Sequence, residues 1–250
     1  MQTRFYPIAL LLFLGTGLTP IYSIGQPVLV PDYTEITDER LLNPEAHNWL
    51  SYRGTLDGWG FSRLDEIDES NVQQLEPVWS FSTGVLGGHE APPIVNNGVM
   101  FVTTPGNLVY AIDAASGDLL WRYQHDLPEA YIAFHRTNRG VALYGDKVYT
   151  ATLDARVVAL DAATGRKVWD STVQDNNFGY YITMAPLAID GKILVGTSGG
   201  ELGIRGFVVA LDAETGEEVW RTYTVPAPGE PGNQTWPGES WRTGGAAVWV

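Results

Sequence analysis

The segment LVYAIDAASGDLLWRY (108–123) returns as VVALDAATGRKVWDSTV (157–173) and again as VVALDAETGEEVWRTYTV (208–225). In every copy a Trp follows an Asp by eight positions: Asp113 and Trp121, Asp161 and Trp169, Asp212 and Trp220. The three tryptophans stand 48 and 51 residues apart. A period near fifty restricts the chain to a repeat architecture, because one such unit can bury its apolar face only against its neighbours.

The middle unit shows what is repeated. KVYTATL (147–153) has the branched and aromatic content of a strand, Asp154 and Ala155 make a turn, and 156–160 returns as a second strand. Residues 161–165 turn again, and 166–171 form another strand carrying Trp169. A run of antiparallel strands without a helix, with a tight turn before the last strand and an aromatic packed between units, predicts an all-β β-propeller. The recurring Asp suits capping of turn amides and the recurring Gly suits positive φ, so both are assigned to structure. LEPVWSFS (75–82) ends the same way at Trp79 and reads as a partial earlier blade. Residues 75–250 then hold three to four blades, preceded by an N-terminal segment at 24–74. Propellers close with about four to eight blades, and the last residues, VWV, read as mid-strand; the expectation is the first part of a longer protein.

An apolar content of 44% with 18% charged residues fits a globular protein and argues against disorder. The absence of cysteine removes disulfides, thiolate zinc sites, covalent c-type haem and thiol catalysis from this chain. Arg4, the apolar run 5–18 and small or polar residues at 23–25 predict a secretory signal over 1–23, hence a periplasmic protein, with an uncleaved anchor as the alternative. Its removal takes away only Arg4 among charged residues, so the net charge of −14 becomes −15, which makes nucleic acid an unsuitable partner.

Function is expected where the repeat breaks. From hairpin Gly to repeat Asp the distance is 15 residues in the first unit (Gly98 to Asp113), 16 in the second (Gly145 to Asp161) and 21 in the third (Gly191 to Asp212). The third unit's insertion falls in GTSGGELGIRG (196–206), a Gly-rich loop with one carboxylate, Glu201. A second irregularity is axial. Glu90 and Thr183 stand eight residues before their hairpin Gly and Arg139 stands six before its own, so three successive units present an acid, a hydroxyl and a guanidinium at nearly matched positions. If these sit at the start of each unit's innermost strand, they converge on a pocket for an anionic polar ring.

The motifs GGHEAPP, NRGVALYGDKVYTATLDARVVALDAATG, TMAPL, GTSGGELGIRGFVVALDAETGEEVW and TWPGESWRTGGAAVW, over about 49–250, resemble the pyrroloquinoline quinone (PQQ) dependent alcohol dehydrogenases of the methanol dehydrogenase type. The resemblance implies an eight-bladed propeller of which this chain holds about the first half. It also implies that Glu90 and Arg139 contact the cofactor's polar edge, that Thr183, Ser198 and Gly199 hydrogen-bond its carboxylates, and that Glu201 ligates a calcium or lanthanide ion. Trp249 would form the floor under the flat ring, where a large rigid indole suits the role. The implied reaction is metal-assisted oxidation of a small alcohol by hydride transfer to the quinone, electrons passing to a cytochrome c, with a homodimer as an option. The aspartate base and the remaining metal ligands are expected beyond residue 250.

One departure stands out. Where family members commonly carry two adjacent, disulfide-linked cysteines over the second face of the cofactor, this chain has Ala133 and Phe134, which makes Phe134 the expected cover opposite Trp249. A PQQ-dependent sugar or polyol dehydrogenase, or a cofactor-free propeller scaffold of the outer-membrane assembly type, are the alternatives. His47, His89, His125 and His135 lack metal-ligand spacing and read as surface or turn residues. The Pro- and Gly-rich stretch 226–238 reads as a surface excursion between blades.

Overall fold

The computed structural model describes residue 30 and residues 33–249; the expected signal segment 1–23 and Val250 lie outside the described residues. Among the described residues, twelve strands form three four-stranded antiparallel sheets, each a consecutive meander. The first holds β1 (Ile94–Asn96), β2 (Val99–Thr104), β3 (Leu108–Asp113) and β4 (Leu119–Gln124). The second holds β5 (Val141–Tyr144), β6 (Lys147–Ala151), β7 (Arg156–Asp161) and β8 (Lys167–Thr172). The third holds β9 (Leu187–Ile189), β10 (Lys192–Gly196), β11 (Phe207–Asp212) and β12 (Glu218–Tyr223). These are propeller blades, all-β as the repeat requires. The middle blade is covered on both sides, and every residue of β6 is buried.

The repeat phrase is the blade's fastening. Ala111, Ala159 and Ala210 each pair with their own blade's Trp, at Trp121, Trp169 and Trp220, and the register shifts at the next residue in all three blades. That shared irregularity aims the indole at the neighbouring blade. Trp121 Nε1 donates to the Ala162 carbonyl at 2.9 Å, and Trp169 Nε1 to the Ala213 carbonyl at 3.0 Å. Both acceptors follow the repeat Asp of the next blade. That Asp caps the turn: Asp161 Oδ1 accepts from Thr164 N, and Asp212 Oδ1 accepts from Glu214 N and Thr215 N. Glycine closes the turn because a Cβ on Gly165 would stand 2.6 Å from the Trp121 ring, at a φ of +70°.

Trp79 occupies the same role, donating to the Ala114 carbonyl at 3.0 Å with its ring under Gly117. Residues 75–82 around it form no strand, so the expected earlier blade is present here only as its tryptophan contact. Before it, helix α1 (Asp38–Leu42) and its flanks staple the sheets together: Ile36 and Gly145 exchange backbone hydrogen bonds, as do Trp49 and Val95.

Candidate functional site

The segments that precede β1, β5 and β9, the loop between β10 and β11, and the chain after β12 gather around one space, a cavity of about 970 Å³. Its wall includes Glu90, Phe134, Arg139, Thr183, Ser198, Gly199, Glu201 and Trp249, so residues spread over 160 positions of sequence face one space. Glu90, Arg139 and Thr183 do not start strands, as the spacing suggested. They precede β1, β5 and β9 by four, two and four residues, and the backbones of Arg139 and Thr183 bond to each other across the two connections rather than within a blade.

An ion pair and two hydrogen bonds link these residues in series. The Glu90 carboxylate lies 3.0 Å from the Arg139 guanidinium, whose Nη1 donates to Thr183 Oγ1 at 2.8 Å. Thr183 Oγ1 and Ser198 Oγ are 2.9 Å apart, and Arg139 N donates to the Thr183 carbonyl. Thr183 and Ser198 are buried, whereas the Glu90 side chain is 47% exposed. A pair so open to water contributes little to stability and leaves the guanidinium able to take another anion.

The insertion loop reaches the cavity by bridging the connection before β9. Ser198 N donates to the Tyr181 carbonyl, and the Tyr181 hydroxyl donates to Glu201 Oε1 at 2.8 Å. Gly199 has a φ of +100°, and a Cβ there would strike the Gly179 carbonyl. The Glu201 carboxyl is held below the usual carboxylate range by its own backbone N–H and by Tyr181. Tyr181 in turn is pushed up to about 12 by burial and by that carboxylate.

Trp249 arrives by backbone pairing with the same loop. Gly245 N donates to the Ile204 carbonyl, Gly206 N to the Gly245 carbonyl, and Val248 N to the Thr197 carbonyl. Gly196 and Gly206 leave no room for a Cβ against Val248 and Ala246, which explains two glycines of the insertion. The Arg139 guanidinium lies 4.9 Å from the Trp249 ring centroid, within cation–π reach. Phe134 stands on the same cavity, 61% exposed.

Sequence reasoning missed Tyr181 and Thr137, both on this wall. Each lies two residues before a recognised one, Thr183 and Arg139, and alternate residues of extended backbone share a face; that periodicity was the available signal. The Thr137 hydroxyl is buried without a protein partner among the described residues. An orphaned hydroxyl, a guanidinium on a half-exposed partner, two further hydroxyls and an indole face fit a flat, anionic, oxygen-rich ring. For a metal the fit is narrower. No group of three His, Cys, Asp or Glu side chains is close enough to hold an ion among the described residues, so Glu201 can supply one ligand to a cation that takes six or more.

A family model described as PQQ: glucose/ethanol/alcohol dehydrogenase, beta-propeller domain, matches residues 49–250. The chain belongs to this family. It is 39% identical over 247 residues to the quinohemoprotein alcohol dehydrogenase ADH-IIG of Pseudomonas putida, covering 90% of this chain and 34% of that protein. It is 37% identical to the lanthanide-dependent methanol dehydrogenase of Methylacidiphilum fumariolicum, covering 83% and 38%. Among solved structures, a europium-containing methanol dehydrogenase superposes with a TM-score of 0.80 at 36% identity, covering 84% of this chain and 41% of the other. The chain thus spans about a third of the length of the curated relatives it matches.

His125 corrects the expectation of surface histidines. It is buried, with Nε2 3.1 Å from both Asp154 oxygens, joining the end of β4 to the turn after β6. Burial pushes the Asp154 carboxyl up, but hydrogen bonds from His125 and Thr152 outweigh it and hold the carboxyl below its usual range. His135 stands on the cavity wall, while His47 and His89 are exposed as expected.

Proposed function

We propose that this chain supplies the cofactor-holding wall of a periplasmic PQQ-dependent dehydrogenase that oxidises a small alcohol and passes electrons to a cytochrome c. The observation that carries the proposal is the convergence of Glu90, Arg139, Thr183, Ser198, Glu201 and Trp249 on one cavity, with Glu90 ion-paired to Arg139 and Arg139 hydrogen-bonded through Thr183 to Ser198. When bound, the quinone supplies a two-electron acceptor for hydride from an alcohol carbon.

The chain's own residues bind and orient. Arg139 can turn from the exposed Glu90 to a carboxylate or quinone oxygen and make paired, charge-assisted hydrogen bonds. Thr183 and Ser198, already buried, donate to a ring carboxylate at little entropic cost, and the orphaned Thr137 hydroxyl gains a partner. Trp249 offers an apolar floor, and Phe134 excludes water from the opposite side. Glu201, kept ionised by its backbone N–H and Tyr181, offers one carboxylate oxygen to a calcium or lanthanide ion beside the ring. The lanthanide-dependent relative and the europium-containing structure support a trivalent ion as an occupant. The test is titration of the full chain with the quinone and either calcium or a lanthanide, which should give saturable binding that Arg139→Ala weakens.

A further inference from the structure

The connection between the first two blades, residues 125–140, carries Phe134, yet that segment has no strand partner among the described residues. Its middle is held by one side chain from a different connection. Ile132 N donates to Asn176 Oδ1 at 2.7 Å, and Asn176 Nδ2 donates to the Ile132 carbonyl at 2.8 Å. The side-chain amide thus pairs with Ile132 as a neighbouring strand would, closing both its backbone groups. The same Nδ2 lies 2.7 Å from the Tyr180 carbonyl and 3.1 Å from the Leu153 carbonyl. Asn176 therefore ties three backbone segments together two residues from Phe134.

The segment that carries Asn176 is itself fixed. Asp175 caps the short turn Asn176–Phe178 by accepting from Asn177 N, and Gly179 follows at a φ of +89°. Beyond it, Tyr181 bridges Ser198 and holds Glu201. One stretch, 175–181, thus grips the Phe134 segment on one side and the insertion loop on the other. We infer that Asn176 is a positioning residue that sets where Phe134 stands over the cavity, and so sets the affinity for a flat aromatic cofactor without touching it. This rests on the proposed function, since the affinity concerned is for the quinone.

An aromatic contact of the kind Phe134 would make is worth about 0.5–1.5 kcal/mol, roughly threefold to tenfold in affinity. The experiment is a double-mutant cycle on the full chain, with the quinone dissociation constant as readout. Asn176→Ala should raise that constant by about threefold to tenfold, Phe134→Ala should do the same, and the double variant should be no worse than Phe134→Ala alone. Asn177→Ala, one residue away and exposed, should leave it unchanged. Amide hydrogen exchange without cofactor is the second readout: the Ile132 amide should be protected in the parent and exchange faster in Asn176→Ala. If Asn176→Ala does not fold, Asn176→Asp, which keeps the acceptor and loses the donor, should give the same pattern. Equal losses in both Phe134 backgrounds, or no loss, would overturn the inference while the proposed function stands. A parent that binds no quinone yet protects Ile132 would overturn both.

Discussion

The Tyr181 hydroxyl donates a 2.8 Å hydrogen bond to Glu201 Oε1, joining the connection before β9 to the inserted loop of the third blade. Because that bond lowers the Glu201 pKa, Tyr181→Phe should move the Glu201 titration upward from its present position. The carboxylate then forms at a higher pH, so cation binding that needs it should set in at a higher pH as well. Carboxyl chemical shifts followed through an acid titration check this, and an unmoved or lowered midpoint would contradict it.

Glu201→Gln keeps the shape of the side chain and removes its charge. Affinity of the full chain for calcium or a lanthanide should fall about tenfold or more, since a hard cation binds an ionised carboxylate oxygen better than a neutral amide oxygen. Isothermal calorimetry at neutral pH reads it directly; equal affinity in the variant would take Glu201 out of the ion's shell.

The blade fastening makes a separable claim about stability. Trp121→Ala should cost about 3–5 kcal/mol, as expected for a buried indole. Gly165→Ala should also destabilise, both from its φ of +70° and from the Cβ placed 2.6 Å from the Trp121 ring. In a Trp121→Ala background the second cost should shrink to the backbone part alone, about 1–2 kcal/mol. Denaturant midpoints of the four proteins decide it, and strict additivity would mean that the ring does not fill that space.

Asp154 predicts a pH dependence. Its pKa is lowered in the folded state, so its stabilising contribution is present above the unfolded value of 3.8 and is lost as pH falls through the folded value. Asp154→Asn should therefore destabilise at pH 7 by about 1–3 kcal/mol, and the gap to the parent should close below about pH 4. A gap that stays constant down to pH 3 would contradict it.

The repeat made the blades legible from sequence because one physical device, an indole against an Asp–Gly turn, has to be respecified in every blade. Trp79 shows the limit of that signal: the tryptophan contact forms, but residues 75–82 have no strand around it. Arg139 and Thr183 were found because they stand at nearly matched positions in successive units, and Glu201 because it lies in an insertion that interrupts the period. Tyr181 was not, because a tyrosine in an extended segment looks like core until the Ser198 bridge shows which way it faces. His125 and Asn176 escaped for a related reason. Their partners, Asp154 and Ile132, lie 29 and 44 positions away in other connections, where no periodicity relates the two sides.

The most direct measurement is the quinone dissociation constant of the full chain, parent against Arg139→Lys, followed by quinone absorbance. Lysine keeps the charge but cannot make the paired hydrogen bonds of a guanidinium. Its exposed partner Glu90 means that the fold should be little affected. Saturable binding by the parent, weakened about tenfold in Arg139→Lys with an unchanged unfolding midpoint, is the predicted result. Equal affinity in the two proteins, or no binding by either, would contradict the assignment of this cavity to the cofactor.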